Sequence, residues 1–268
     1  MTREQEGQHL MEAAAAVAQL AGNIALGYFR SALSVETKSD GSPVTIADRA
    51  AEQGAREWIE ARFPSHGILG EELGVVRPDA RRRWILDPID GTKSFVRGVP
   101  LWGTLVAVAE GDQVLAGAAY FPAVDEMTCA APGLGSWWNG SRCRVSAVAR
   151  LGEATVLTTD ERFHSDPARR ETWARMAARV AVSRTWGDCY GYLLVATGRA
   201  EVMADDIISP WDGAALMPII QEAGGVFTDW DGEATAFGGN ALATNAALAD
   251  EVRTLLQPLS DPVARDDG

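Results

Sequence analysis

Apolar positions recur along this chain in two rhythms, one helical and one alternating. Over residues 10–29, Val17, Leu20, Ile24 and Tyr28 repeat near helical spacing within an alanine-rich run, which predicts a long first helix. Ser39-Asp40-Gly41-Ser42-Pro43 predicts a turn. A second helix is expected over residues 45–63, with Trp58, Ile59 and Phe63 on its apolar side. Ile68 and Leu69 then lead into Gly70-Glu71-Glu72, and residues 75–83 form a polar, arginine-rich connection. Strands are predicted at residues 84–86, 101–109, 113–121 and 127–131, with Glu110-Gly111-Asp112 as a hairpin turn. Residues 1–145 therefore read as an α+β half, helices packed on an antiparallel sheet.

Residues 146–268 show a different order. A strand at 154–158, helices at 170–180 and 190–196, a short strand at 201–204, a helix at 212–223 and a strand at 226–229 alternate as in an α/β half. The tail from residue 257 onward is expected to fray.

Composition narrows the function. The chain has 268 residues and a formal net charge of −13, which argues against nucleic acid and against anionic membrane surfaces as partners. No apolar run reaches the length of a membrane span. The first residues carry acids and alanines rather than a basic segment ahead of a leucine-rich core, so a helix is expected there and not a signal peptide. Three widely spaced cysteines (Cys129, Cys143, Cys189) fit a reducing cytoplasm better than a disulfide framework. Three histidines without paired spacing argue against histidine-rich zinc chemistry.

The chemistry concentrates where an apolar strand runs out, in Trp84-Ile-Leu-Asp87-Pro88-Ile89-Asp90-Gly91-Thr92. Two carboxylates three residues apart, pinned by a proline and released by a glycine, can converge on one point just beyond the strand. Such a pair calls for a counter-charge, and a hard divalent cation such as Mg²⁺ prefers oxygen ligands. A plain Asp-Pro turn is the competing explanation. Other acids carry the same ambiguity. Glu71 can be a solvated loop acid. Asp48, three residues after Thr45, can belong to a capping box, and Asp212 can be an N-cap. Asp205 and Asp206 can form a solvated turn.

Taken together, these segments resemble the inositol monophosphatase family. Thr45-x-x-Asp48, Gly70-Glu71-Glu72, Asp87-Pro88-Ile89-Asp90-Gly91-Thr92, Trp211-Asp212-Gly213 and Glu222-Ala223-Gly224-Gly225 match its motifs in order and spacing, over nearly the whole chain to Asn245. The resemblance implies an α/β fold, the alternating αβαβα layered sandwich of the inositol monophosphatase and fructose-bisphosphatase type. It also implies a phosphomonoesterase that uses two or three Mg²⁺ ions per subunit, with Mn²⁺ able to substitute, and works as a homodimer. Glu71, Asp87, the Ile89 carbonyl, Asp90 and Asp212 would be the metal ligands. Asp48 and Thr92, with Glu71, would place and activate water, and the amides of Gly91 and Thr92 would hold phosphate oxygens.

Within the family, Gly187-Asp188-Cys189-Tyr190 and the run from Asp90 to Trp102 look like the histidinol-phosphatase branch. Histidinol phosphate ends in a protonated amine and an imidazole. Carboxylates at Asp188 and Asp205 would pair with those groups, and Trp102 or Trp186 would stack on the ring. The competing expectation is that Asp188 caps a helix near Tyr190 and both tryptophans are core. Lys93 either touches phosphate or points to solvent. Inositol-1-monophosphatase or broad sugar phosphatase activity is the alternative function. A non-catalytic scaffold is more remote, because the acids all remain.

Overall fold

The computed structural model describes residues 2–38, 41–163 and 166–257. Ser39 and Asp40 of the expected turn, and the expected frayed tail beyond residue 257, lie outside the described residues. In chain order the first elements are α1 (Arg3–Leu26), β1 (Glu36–Thr37), β2 (Pro43–Val44), α2 (Ile46–Arg62), β3 (Gly67–Gly70), β4 (Gly74–Val76), β5 (Arg82–Asp90) and α3 (Thr92–Val96). Then follow β6 (Gly103–Glu110), β7 (Gln113–Phe121), β8 (Glu126–Ala131), β9 (Gly135–Trp138) and β10 (Ser141–Arg142).

α1 begins seven residues before its first regular apolar repeat. A capping box supplies the reason: Thr2 Oγ1 accepts from the Gln5 amide and Gln5 Oε1 accepts from the Thr2 amide. Ala14, Ala18 and Ala25 on its inner face are fully buried and let the helix lie close against the sheet.

Strands β3 to β10 form one eight-stranded sheet in the order β10-β9-β8-β7-β6-β5-β3-β4. It is antiparallel except where β3 and β5 run parallel. Alternation along β5 and β6 sorts its two faces. Trp84, Leu86, Val106 and Val108 point to α1 and α2, whereas Ile85, Leu105, Ala107 and Ala109 point the other way.

The later elements are β11 (Thr155–Leu157), α4 (Pro167–Ala177), β12 (Val182–Arg184), α5 (Asp188–Ala196), β13 (Val202–Asp205), α6 (Pro210–Gly213), α7 (Leu216–Glu222), β14 (Gly225–Thr228), β15 (Ala241–Asn245) and α8 (Ala249–Leu256). A second, mixed sheet has the order β12-β11-β13-β15-β14. Residues of α5 and α7 pack between the two sheets, with Leu193, Val195, Leu216 and Ile220 meeting Leu105 on one side and Met203, Ala241 and Ala243 on the other. Trp173 and Met176 of α4 and Val252 and Leu256 of α8 cover the far face of the second sheet. The layers are thus α-β-α-β-α, as the resemblance implied.

Among the other boundaries that depart from the sequence pattern, which include β4 and the start of β5 within the expected connection at 75–83, three have a clear cause. α4 starts at Pro167 rather than 170, because Asp166 caps it and proline suits the first helical position. The single helix expected over 212–223 is two, α6 and α7, with Ala214 and Ala215 between them. β5 does not stop at Leu86 but continues through Pro88 to Asp90, with its register against β6 shifting between Asp87 and Asp90. That shift accommodates the proline, which has no N–H for the ladder.

Candidate active site

The carboxylates of the β5 end meet at the seam between the two sheets. Asp87, Asp90 and Asp212 each offer one oxygen, and these oxygens lie within 4.8 Å of one another. Each acid is held by backbone. Ile89 N donates to Asp87 Oδ1 at 3.0 Å, Cys189 N donates to Asp90 Oδ2 at 2.6 Å, and Ser209 N donates to Asp212 Oδ2 at 2.7 Å. The N-cap of α6 is Ser209 and not Asp212, which is the acid of the capping box at the third helical position and a member of the trio as well.

Burial makes the trio reluctant to ionise together. Burial first, then the charges of Glu71, Asp90 and Asp212, raises Asp87 well above the usual carboxylate range. Asp90 is raised by burial and by Asp188 and Asp212. Asp212 is pushed up to about 6, chiefly by burial. Clustered carboxylate oxygens in this state, buried at Asp87 and half-buried at Asp90 and Asp212, fit a hard divalent cation, whose charge would restore the ionised forms.

Glu71 lies beside the trio but outside it. Its Oε1 accepts from Lys38 Nζ at 2.7 Å, and the same ammonium reaches Glu72 Oε1 at 2.5 Å. Lys38 was invisible as a site residue in the sequence, because it is contributed by the segment ahead of β2, 33 residues before Glu71. Glu72, pushed up to about 7 mainly by burial, is the less exposed of the two acids.

Asp48 is 0% exposed. Its Oδ2 accepts from Thr45 N and Thr45 Oγ1 at 2.8 and 2.7 Å, a capping box as the spacing suggested. The other oxygen, Oδ1, faces Thr92 Oγ1 at 3.5 Å, and that hydroxyl also lies 3.0 Å from the Ile89 carbonyl oxygen. Burial raises Asp48 above the ordinary aspartate range. Between the trio and Thr92 the chain turns at Gly91, whose φ of 90° suits only a residue without Cβ. A Cβ there would also meet Leu101 O at 2.9 Å and Asp188 Oδ2 at 3.2 Å.

A cavity of about 560 Å³ opens beside these acids and is lined by Asp90, Lys93, Asp188, Asp205 and Asp212 among others. Lys93 thus faces the cavity. Asp188 does not cap α5. Gly187 is the N-cap, Asp188 is the first helical residue with φ of 50°, and its own amide donates to Thr159 Oγ1 at 2.8 Å. Its carboxyl is pushed up to about 7 by burial and by Asp205, against the pull of Lys93. Asp205 is not a solvated turn residue. It is buried at the end of β13, with Oδ1 accepting from Thr159 N at 3.0 Å and Oδ2 from the Tyr192 hydroxyl at 3.0 Å. Burial sets its carboxyl at about 6.

The expected stacking tryptophans are not on this wall. Trp102 is 0% exposed and lies in the core against Phe95 and Phe29, with ring centroids 4.8 and 5.5 Å away. It packs on the α1 face of the first sheet, so it cannot reach a ligand in the cavity. Trp186 is 44% exposed and outside the cavity lining.

The model of the inositol monophosphatase family matches residues 6–260. The chain belongs to that family. Among characterised relatives it is 42% identical to a histidinol-phosphatase of Chlorobaculum parvum, over 89% of this chain and 95% of that one. It is 41% identical to a histidinol-phosphatase of Mycobacterium tuberculosis, over 84% and 88%. An inositol monophosphatase structure from Zymomonas mobilis superposes with a TM-score of 0.82 at 31% identity, covering 92% of this chain and 96% of that one. This family member is accordingly a phosphatase, a hydrolase acting on small phosphorylated substrates. No helix among the described residues is long and apolar enough to cross a membrane.

Proposed function

We propose that this phosphatase hydrolyses histidinol phosphate, with Mg²⁺ as cofactor. The observation that carries the proposal is the pair Asp188 and Asp205 on the wall of the cavity that also holds Asp90 and Asp212. A substrate with a phosphate at one end and cationic groups at the other matches those two regions. The names of the relatives at 42% and 41% identity support the same choice.

Asp87, Asp90 and Asp212, with Glu71 and the Ile89 carbonyl, would hold the metal. When bound, Mg²⁺ supplies the positive charge that lowers the pKa of the attacking water and offsets charge on the leaving oxygen. The protein's own groups do the rest. The amides of Gly91 and Thr92, at the turn that the positive φ creates, hold phosphate oxygens. Thr92 Oγ1 orients the attacking water and passes its proton to Asp48 Oδ1, the one oxygen of that carboxylate not engaged by Thr45. A carboxyl raised by burial is suited to accept it. Asp188 and Asp205 pair with the amine and imidazole of the leaving alcohol, and Lys93 on the cavity wall attracts the phosphate.

On this proposal residues 1–145 supply most of the metal site, and residues 146–268 supply Asp212 and the selecting wall. The enzyme would serve histidine biosynthesis in the cytoplasm as a homodimer, with Mn²⁺ able to replace Mg²⁺. Phosphate release from histidinol phosphate and from inositol 1-phosphate, measured side by side with Mg²⁺ and with EDTA, tests it. A Mg²⁺-dependent preference for histidinol phosphate is expected. Equal rates, or preference for the inositol ester, would overturn the substrate assignment.

A further inference from the structure

A buried ion pair on α2 lies behind the acid cluster, and no step described so far uses it. Glu52 is 0% exposed and Arg56 6%. Glu52 Oε2 accepts from Glu72 N at 2.7 Å, while Oε1 accepts from Leu73 N at 3.2 Å and from Arg56 Nε at 2.8 Å. Arg56 Nη2 donates in turn to Gly74 O at 2.5 Å. The turn that follows β3, from Glu71 to Gly74, therefore hangs on two side chains of one helix. A carboxylate this deep is costly unless its lone pairs are engaged. Here they are spent on the two amides that follow Glu71. Gly70 leaves the necessary room, since a Cβ at that position would stand 2.0 Å from Glu52 Oε1.

The spacing gives the arrangement a second property. Asp48, Glu52 and Arg56 are four residues apart and share one face of α2. The stripe that holds the proton acceptor beside Thr92 also grips the turn bearing Glu71.

We propose that Glu52, supported by Arg56, is a positioning residue for metal binding: it fixes the Glu71–Gly74 turn so that the Glu71 carboxylate is available to the cation held by Asp87, Asp90 and Asp212. The inference rests on the metal assignment made above. Without the clamp, Glu71 is free to follow Lys38, whose ammonium already holds its Oε1. Glu52→Gln offers the turn one acceptor oxygen in place of two and sets an amide N–H₂ against backbone donors.

The test measures Mg²⁺ binding to the substrate-free protein by calorimetry, together with the Mg²⁺ concentration for half-maximal activity and kcat at saturating Mg²⁺. Wild type, E52Q, E71Q and the double variant are compared. Groups that orient metal ligands typically carry about 10- to 100-fold in affinity. E52Q is therefore expected to weaken Mg²⁺ binding about tenfold or more, with most of kcat recovered at saturation. The double variant is expected to bind hardly more weakly than E71Q, because the clamp acts through Glu71. Additive losses, or a folded E52Q with wild-type Mg²⁺ affinity, would overturn the inference. If E52Q does not fold, Arg56→Lys decides: it keeps a cation beside Glu52 but gives up the reach to Gly74 O. A weaker Mg²⁺ affinity supports the clamp and an unchanged one refutes it. A wild-type protein that neither binds nor needs Mg²⁺ would sink the metal assignment and this inference together, whereas Mg²⁺ dependence with an indifferent E52Q would sink the inference alone.

Discussion

The backbone amide of Cys189 donates to Oδ2 of Asp90 at 2.6 Å, joining the first turn of α5 to the end of β5 across 99 residues of sequence. The acid is thereby fixed by main chain contributed from beside the second sheet. Asp90→Asn keeps an oxygen that can accept from Cys189 N and removes a buried charge. The variant is expected to lose more than about 100-fold in phosphate release while melting at or above the wild-type temperature, because a ligand has gone but no packing has. Phosphate assays at saturating Mg²⁺ beside thermal melts check this, and normal turnover would contradict the role given to Asp90.

Metal removal should act most strongly at neutral pH. Asp212 and Asp188 are raised by burial to about 6 and about 7 in the folded protein, above the unfolded aspartate value. Groups shifted in this direction bind protons more tightly when folded. Their contribution to stability is complete below about pH 4 and is lost as pH rises through those folded values. The EDTA-treated protein should therefore lose melting temperature progressively between pH ~4 and ~7 through these groups, and Mg²⁺ should restore more at the higher pH. A Mg²⁺-induced increase in Tm that is larger at the lower pH would refute the linkage.

Selectivity should reside in Asp188. In Asp188→Asn the wall loses a charge without losing volume, so the preference for histidinol phosphate over inositol 1-phosphate in kcat/KM should fall by about tenfold or more. The rate with the inositol ester should hold or rise. An unchanged ratio would remove Asp188 from the selecting wall.

Trp102 offers a contrast. Buried against Phe29 and Phe95, it serves packing alone. Trp102→Leu is expected to cost about 2–4 kcal/mol of stability, as large-to-small core changes do, and to leave KM for histidinol phosphate unaltered. A raised KM in a still folded variant would return the ring to the ligand.

Much of this was legible in the sequence, and the residues show why. Asp87, Asp90 and Asp212 stand in short motifs whose local geometry is fixed by proline, glycine and caps, so the motif carries the site with it. Treating cap and site as rivals was the weaker step, because Asp48 spends one oxygen on Thr45 and turns the other to Thr92. Hydropathy could not tell a stacking tryptophan from a packed one, since both are large and apolar, and Trp102 fell on the wrong side. The extension of β5 through Pro88 was hidden because a proline argues against a strand unless the register shifts, as it does here. Strand β12 has three residues, and β15 is buried along its whole length, so neither shows a clear alternation of apolar and polar positions. Lys38 and Glu52 act on Glu71 and its turn from 33 and 20 residues away, distances at which sequence spacing carries no geometry.

Thr159 receives the amide of Asp188 on its hydroxyl and gives its own amide to Asp205. Both acids of the cavity wall are thus hung from a single residue two positions beyond β11, one through its side chain and one through its main chain. They behave as the two jaws of a fixed gauge rather than as independent arms. On the proposed reading, a guest whose donors are spaced for that gauge would meet both jaws at once and one of a different span would forfeit a jaw, so that length would be discriminated along with charge.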